Sequence, residues 1–171
     1  MIISYCGNGK GKTTAALGLA LRAAGAGKRV KIIQFIKGDW KTGEEALLKK
    51  IKGIDLEKSG LGFVNCPSDR HHISEHKKAA EQALDLARDV ISRNITDVVI
   101  LDEINWAISE YLIKESEVID LIKTMPKTKT VVLTGAPVIK EIIELSDLVT
   151  EMKKIKHPYD SGQKAIRGID F

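Results

Sequence analysis

An α/β fold, with a mostly parallel sheet covered by helices on both faces, is what this 171-residue sequence predicts. Short β-rich runs alternate with helical patterns, and several of those runs are apolar almost throughout instead of alternating apolar with polar. A glycine-rich turn also joins the first run to the first helix. Continuous Ile/Val/Leu strands belong to parallel sheets buried on both faces, and the intervening helices supply the cover.

The strand-like runs are Met1–Tyr5, Lys31–Ile36, Val98–Leu101, Thr130–Thr134 and Leu148–Met152. Between the first two, Thr13–Ala24 holds Ala15, Ala16, Leu17, Leu19, Ala20, Leu21, Ala23 and Ala24, which predicts a helix buried nearly all round and stopped by Gly25 and Gly27. Ser59–Arg70, with Gly60, Gly62, Asn65, Pro67 and Ser68, has the composition and length of a specificity loop. Ser74–Ser92 predicts an amphipathic helix, with Ala80, Leu84, Ala87 and Ile91 on one stripe and Lys78, Glu81, Asp85 and Arg88 elsewhere. No repeat or linker-like shift divides the chain, so one domain over residues 1–171 is expected.

Composition narrows the class. With 43% hydrophobic and 29% charged residues the chain is neither disordered nor of low complexity. Its net charge of +4 is dispersed, which fits anionic small molecules and not a nucleic-acid footprint. Cys6 and Cys66 form no disulfide framework and no leader precedes the first strand, so a cytoplasmic location is expected. No uncharged run reaches the roughly 18 residues needed to cross a bilayer, so no membrane partner is expected.

Ile3-Ser4-Tyr5-Cys6-Gly7-Asn8-Gly9-Lys10-Gly11-Lys12-Thr13-Thr14 reads as strand, glycine-rich turn and helix start, in the order a P-loop demands. Gly7, Gly9 and Gly11 let successive N–H groups turn inward around a polyphosphate, and the helix N-terminus adds positive potential. Lys12 would set its ammonium on the phosphate oxygens, and the Thr13 hydroxyl would ligate Mg²⁺. Cys6 stands where the strict pattern has its first glycine. Lys10 is either a second phosphate contact or a solvated lysine.

Val98-Val99-Ile100-Leu101-Asp102-Glu103 is an apolar strand ending in two carboxylates. Alone it would say only that the chain is returning to water. Beside a P-loop it reads as the Walker B arrangement, with Asp102 or Glu103 as a Mg²⁺ ligand or the group behind one.

Taken together, these residues resemble the P-loop type of ATP:corrinoid adenosyltransferase, over nearly the whole chain. The resemblance rests on Gly7–Thr14, Gln34-Phe35-Ile36-Lys37-Gly38, Gly43-Glu44 and Leu101-Asp102-Glu103. It continues through Leu133-Thr134-Gly135, Asp147–Met152, Ile155-Lys156-His157-Pro158 and Gly168-Ile169-Asp170-Phe171. It implies a doubly wound, RecA-like fold and transfer of the 5′-deoxyadenosyl group of ATP to the Co(I) of a reduced corrinoid such as cob(I)alamin, with release of triphosphate, in adenosylcobalamin synthesis or salvage. Cobalt then brings the nucleophilicity, and the protein positions ATP and stabilises the departing polyphosphate. The resemblance further implies Lys12 and Glu103 as catalytic groups, Gly7–Thr14, Phe63 and His157 as substrate contacts, a homodimer, and a reductant such as a flavoprotein. An ATPase or kinase cutting at the γ-phosphate, and a nucleotide- or corrinoid-binding regulator without turnover, are the alternatives.

The chain departs from the family pattern in three places. It opens directly at the first strand, without the family's N-terminal arm. Ala136 follows Thr134-Gly135 where the family has arginine, which removes a guanidinium from the mouth of the site. The family's Gly-Phe-Thr-Trp loop reads Gly62-Phe63-Val64-Asn65, keeping the phenylalanine that helps displace the corrinoid's lower ligand but not the tryptophan.

His72-Ile73-Ser74-Glu75-His76 matches H-x-x-E-H, a zinc-helix pattern, but no third ligand stands at a diagnostic spacing. His71, His72 and His76 are therefore expected to be solvated or near the acceptor. His157 beside Lys156 is either a phosphate or corrinoid contact or a packing residue. Trp40 is either an exposed aromatic at the site or a local packing residue.

Overall fold

Six five-residue or shorter strands form one sheet in this computed structural model, which describes residues 1–38, 41–64, 66–67, 69–93 and 95–170. They are β1 (Ile2–Cys6), β2 (Val30–Gln34), β3 (Ile54–Lys58), β4 (Val98–Asp102), β5 (Thr130–Thr134) and β6 (Leu148–Glu151). The helices between them are α1 (Lys12–Gly25), α2 (Gly43–Leu48), α3 (Ile73–Ser92), α4 (Ile104–Ser109), α5 (Glu115–Thr124) and α6 (Lys140–Leu145). The strand order is β3-β2-β4-β5-β1-β6, and every pairing is parallel. None of the described helices is long and apolar enough to cross a membrane.

The pleat divides the apolar strands between two cores. Ile33, Val99, Leu101, Val131 and Leu133 pack under Ala80, Leu84 and Ala87 of α3, Ile104 of α4, Val118 of α5 and Ile142 of α6. On the opposite face, Val30, Ile32, Val98, Ile100 and Val132 meet Ala16 and Ala20 of α1 and Leu48 of α2. Parallel strands all end on one rim, so the residues that follow β1, β2, β4 and β5 converge there.

Three expectations change. The α1 helix is not buried all round: only Ala16 and Ala20 are fully covered, and Leu21 is 46% exposed. Its small side chains let it lie close to the sheet along one narrow stripe, flanked by the half-buried Leu17, Leu19, Ala23 and Ala24, while Leu21 faces solvent. His76 is buried at 3% exposure rather than solvated, because its ring pairs with Asp69 Oδ1 at 3.0 Å. The strand β3 went unpredicted, since Ile54-Asp55-Leu56-Glu57-Lys58 alternates in the manner of a half-covered edge.

Candidate functional site

The glycine loop from Cys6 to Lys12 joins β1 to α1 on that rim. Gly7 (φ 91°) and Gly11 (φ 118°) take left-handed dihedrals that residues with a Cβ rarely adopt. A Cβ on Gly7 would also lie 2.4 Å from the Met152 carbonyl oxygen. That close approach is structural: Gly9 N–H donates to Met152 O at 2.7 Å and Met152 N–H donates to Cys6 O at 2.8 Å. Asn8 Oδ1 accepts from Lys154 N–H at 3.0 Å, so the chain after β6 braces the loop at three points. Cys6 completes β1 without a positive φ, which is why a side chain is tolerated where the strict motif has glycine. Burial, then Glu151, pushes its thiol above the ordinary value, the condition of an inert packing residue.

Lys12 Nζ donates to Gly7 O and Gly9 O, each at 2.9 Å, which folds its ammonium over the loop. Lys10 is neither free in solvent nor held within the loop. Its ammonium donates to Ile169 O at 2.9 Å and to the Asp170 carboxylate, tying the loop to the 166–170 turn. Backbone donation from Ile166 and then the Lys10 charge hold Asp170 below the usual carboxylate value. Thr14 is exposed on the first turn of α1.

Asp102 ends β4 at 1% exposure, with three donors converging on it. Thr13 Oγ1 and Thr134 Oγ1 each donate to its Oδ1 at 2.8 Å, and Gln34 Nε2 donates to its Oδ2 at 3.0 Å. Thr13 comes from α1, Gln34 from β2 and Thr134 from β5, so the fold delivers each from a separate element. Two amide oxygens beside this cluster, Gln34 Oε1 and Asn105 Oδ1, are buried and have no partner among the described residues. An unsatisfied buried acceptor costs about 1–3 kcal/mol. An oxygen-rich spot with spare acceptors fits a hydrated hard cation such as Mg²⁺.

Glu103 follows in a left-handed conformation at φ 62°, its N–H donating to Thr134 Oγ1 at 2.8 Å. Burial, reinforced by the neighbouring Asp102 charge, pushes its carboxyl up to about 7, against the pull of Lys12 and Lys37. Asp102 and Glu103 therefore stand in different environments: the first is a held acceptor, the second a carboxyl facing open space.

That space is a cavity of about 490 Å³ lined by Ile36, Lys37, Lys41, Phe63, Glu103 and Asp170. Phe63 stands edge-on to Trp106 with ring centroids 5.3 Å apart. A larger cavity of about 990 Å³ flanks the loop on its β6 side, between Gly7, Asn8, Pro137, Val149 and Lys154.

Sequence reasoning assigned Gly7–Thr14, Asp102, Glu103, Phe63 and His157 to the site. It assigned no role to Gln34, Lys37, Lys41, Trp106, Thr134 or Asp170. A readable signal existed for Gln34, a lone amide within the otherwise apolar Ile32–Ile36 run. His157 stays outside the loop: its Nδ1 accepts from Tyr159 N–H at 3.2 Å and starts the short 3-10 turn Pro158–Ser161. His72 caps α3, contacting Ser74, and so belongs to the helix start. Trp40 and Asn65 lie outside the described residues.

Comparison with known proteins gives a consistent result. The family described as ATP:corrinoid adenosyltransferase BtuR/CobO/CobP matches residues 1–171. The chain is 37% identical over 171 residues to a corrinoid adenosyltransferase of Escherichia coli (strain K12), covering 100% of this chain and 85% of that protein. It is 38% identical over 171 residues to the corrinoid adenosyltransferase CobA of Salmonella typhimurium, with the same coverage of 100% and 85%. A Sinorhizobium corrinoid adenosyltransferase is 41% identical over 175 residues, covering 100% of this chain and 80% of that protein.

Proposed function

Because the chain belongs to the ATP:corrinoid adenosyltransferase family, we propose that it moves the 5′-deoxyadenosyl group of ATP onto the Co(I) of a reduced corrinoid, cob(I)alamin included. The observation that carries this reading is one of adjacency. Glu103 lines the cavity with Phe63, and the Lys12 charge at the glycine loop acts on the Glu103 carboxyl, so a polyphosphate cradle and an acceptor space adjoin on one rim.

In this reading the Co(I) electron pair forms a bond to C5′ while the C5′–O bond breaks, and triphosphate leaves with the bonding pair. The loop amides between Gly7 and Thr13, other than that of Gly9, whose N–H is bound to Met152 O instead of turned inward as expected, hold the departing chain, and Lys12 exchanges its two loop carbonyls for the stronger acceptors of a polyphosphate. Mg²⁺ bound near Asp102 and Thr13 would neutralise charge on the leaving oxygens. Asp102 orients the Thr13 hydroxyl, which already points at it. Phe63 and Trp106 offer an apolar edge to the acceptor, and Lys41 offers charge to its polar periphery, while Lys37 is paired with Glu44 at 2.6 Å. The cytoplasm, a homodimer and a flavoprotein reductant complete the reading, and the two free thiols are compatible with a reducing compartment.

Anaerobic incubation with ATP, Mg²⁺ and chemically reduced corrinoid is the direct test. A light-sensitive carbon–cobalt product together with inorganic triphosphate is expected. Release of ADP instead would move the protein to γ-phosphate chemistry.

A further inference from the structure

Gln34 closes β2 opposite Asp102 in the β2–β4 register and is 1% exposed. Which way its amide faces follows from its neighbour. A carboxylate that receives three donors is acting as an acceptor on both oxygens, so the NH₂ group must face Asp102 and Oε1 must face away. Oε1 then has no donor among the described residues. A side chain kept only for packing would carry no such defect, since methionine or leucine would fill the volume without a stranded polar atom.

The donors around Asp102 also differ in availability. In the proposed function the Thr13 hydroxyl is shared with Mg²⁺, which leaves Thr134 and Gln34 as the side chains committed to Asp102 alone. Thr134 is occupied twice, donating to Asp102 Oδ1 and accepting from Glu103 N–H. Among the three donors to Asp102, Gln34 therefore keeps an acceptor with no partner among the described residues, Oε1.

We propose that Gln34 is a positioning residue for the cation that accompanies the nucleotide: its Nε2 fixes Asp102, and its Oε1 accepts a hydrogen bond from a water of that cation's shell. The proposal rests on the reading of the glycine loop as a Mg²⁺–nucleotide cradle. Its consequence is a separation of affinities. Gln34 governs how tightly the cation is held, while the loop amides and Lys12 govern the polyphosphate.

The test is calorimetric ATP binding to the whole chain across a Mg²⁺ titration, with thermal unfolding of the ligand-free protein alongside. For Gln34→Met, the Mg²⁺ concentration giving half-maximal enhancement of ATP binding should rise about tenfold or more, as for other residues that orient a metal ligand. ATP affinity without Mg²⁺ should stay within about twofold, while the ligand-free Tm shifts only modestly, because losing the stranded Oε1 acceptor offsets the Nε2 donor withdrawn from Asp102 Oδ2. Gln34→Leu serves as the second variant and should behave alike. An unchanged Mg²⁺ titration, whatever the Tm does, overturns the proposal while leaving the cradle intact. Absence of ATP binding by the wild-type chain at any Mg²⁺ concentration would overturn the cradle itself.

Discussion

Lys12 donates to two carbonyls of its own loop, a self-satisfied arrangement from which a polyphosphate can draw it at little cost in unmade bonds. Lys12→Ala should therefore lower turnover by about 10²–10³ while leaving corrinoid affinity in place, as measured by steady-state kinetics under reducing conditions. Unchanged turnover would remove Lys12 from the mechanism. Glu103 makes a pH prediction of known sign. Its carboxyl titrates near 7 in the folded chain against 4.5 ordinarily, so the folded state binds the extra proton between those values. Stability of the ligand-free protein should fall as pH rises from about 4.5 to about 7, by on the order of 3 kcal/mol. Denaturant titrations of wild type and Glu103→Gln at several pH values check this, and the variant should show a flatter profile. Asp102 and Glu103 were legible as a pair from the apolar run before them, but their separate environments were not. Those depend on Thr13, Gln34 and Thr134, which come from three other elements and meet only in the folded sheet.

Local sequence reports elements well when their burial is continuous. Lys31–Ile36 and Val98–Leu101 were recognisable because both faces of the sheet are covered, and the α3 stripe because twenty residues hold several periods. The edge strand β3, the ten-residue helix α5 and the six-residue helices α2, α4 and α6 were missed; for the last three, a turn and a half carries too little periodicity to stand out. The start of α3 carries a test of its own: Glu75 returns its carboxylate to His72 N–H at 2.8 Å in a capping box. Glu75→Ala should lower the midpoint of chemical denaturation, with ATP binding unaltered. In the preceding loop, Phe63→Ala removes the edge contact with Trp106. Nucleotide binding should be spared while the KM for corrinoid rises about two- to tenfold, the worth of one aromatic pair. A loss confined to nucleotide binding would show that the loop serves the other substrate.

At the level of the whole molecule, two cores share one sheet, so a defect in a central strand is felt by both helical layers. Ile100 is fully buried in β4 and packs toward α1, and Ile100→Ala should destabilise by about 2–5 kcal/mol in equilibrium unfolding. The parallel order was anticipated from composition, whereas the partner of Lys10, 160 residues away at Asp170, could not be. Long-range pairing of that kind leaves no periodic mark on either segment.

The glycine loop lies within the first dozen residues, yet the strands on either side of β1 are β5 and β6, and the backbone that braces it belongs to Met152. Residues 7–12 must therefore wait for residues 130–154 before the loop acquires its shape. A fragment ending before Thr130 would hold the full motif and still lack a formed anion pocket, so nucleotide retention is a gauge of whether β5 and β6 have docked beside β1.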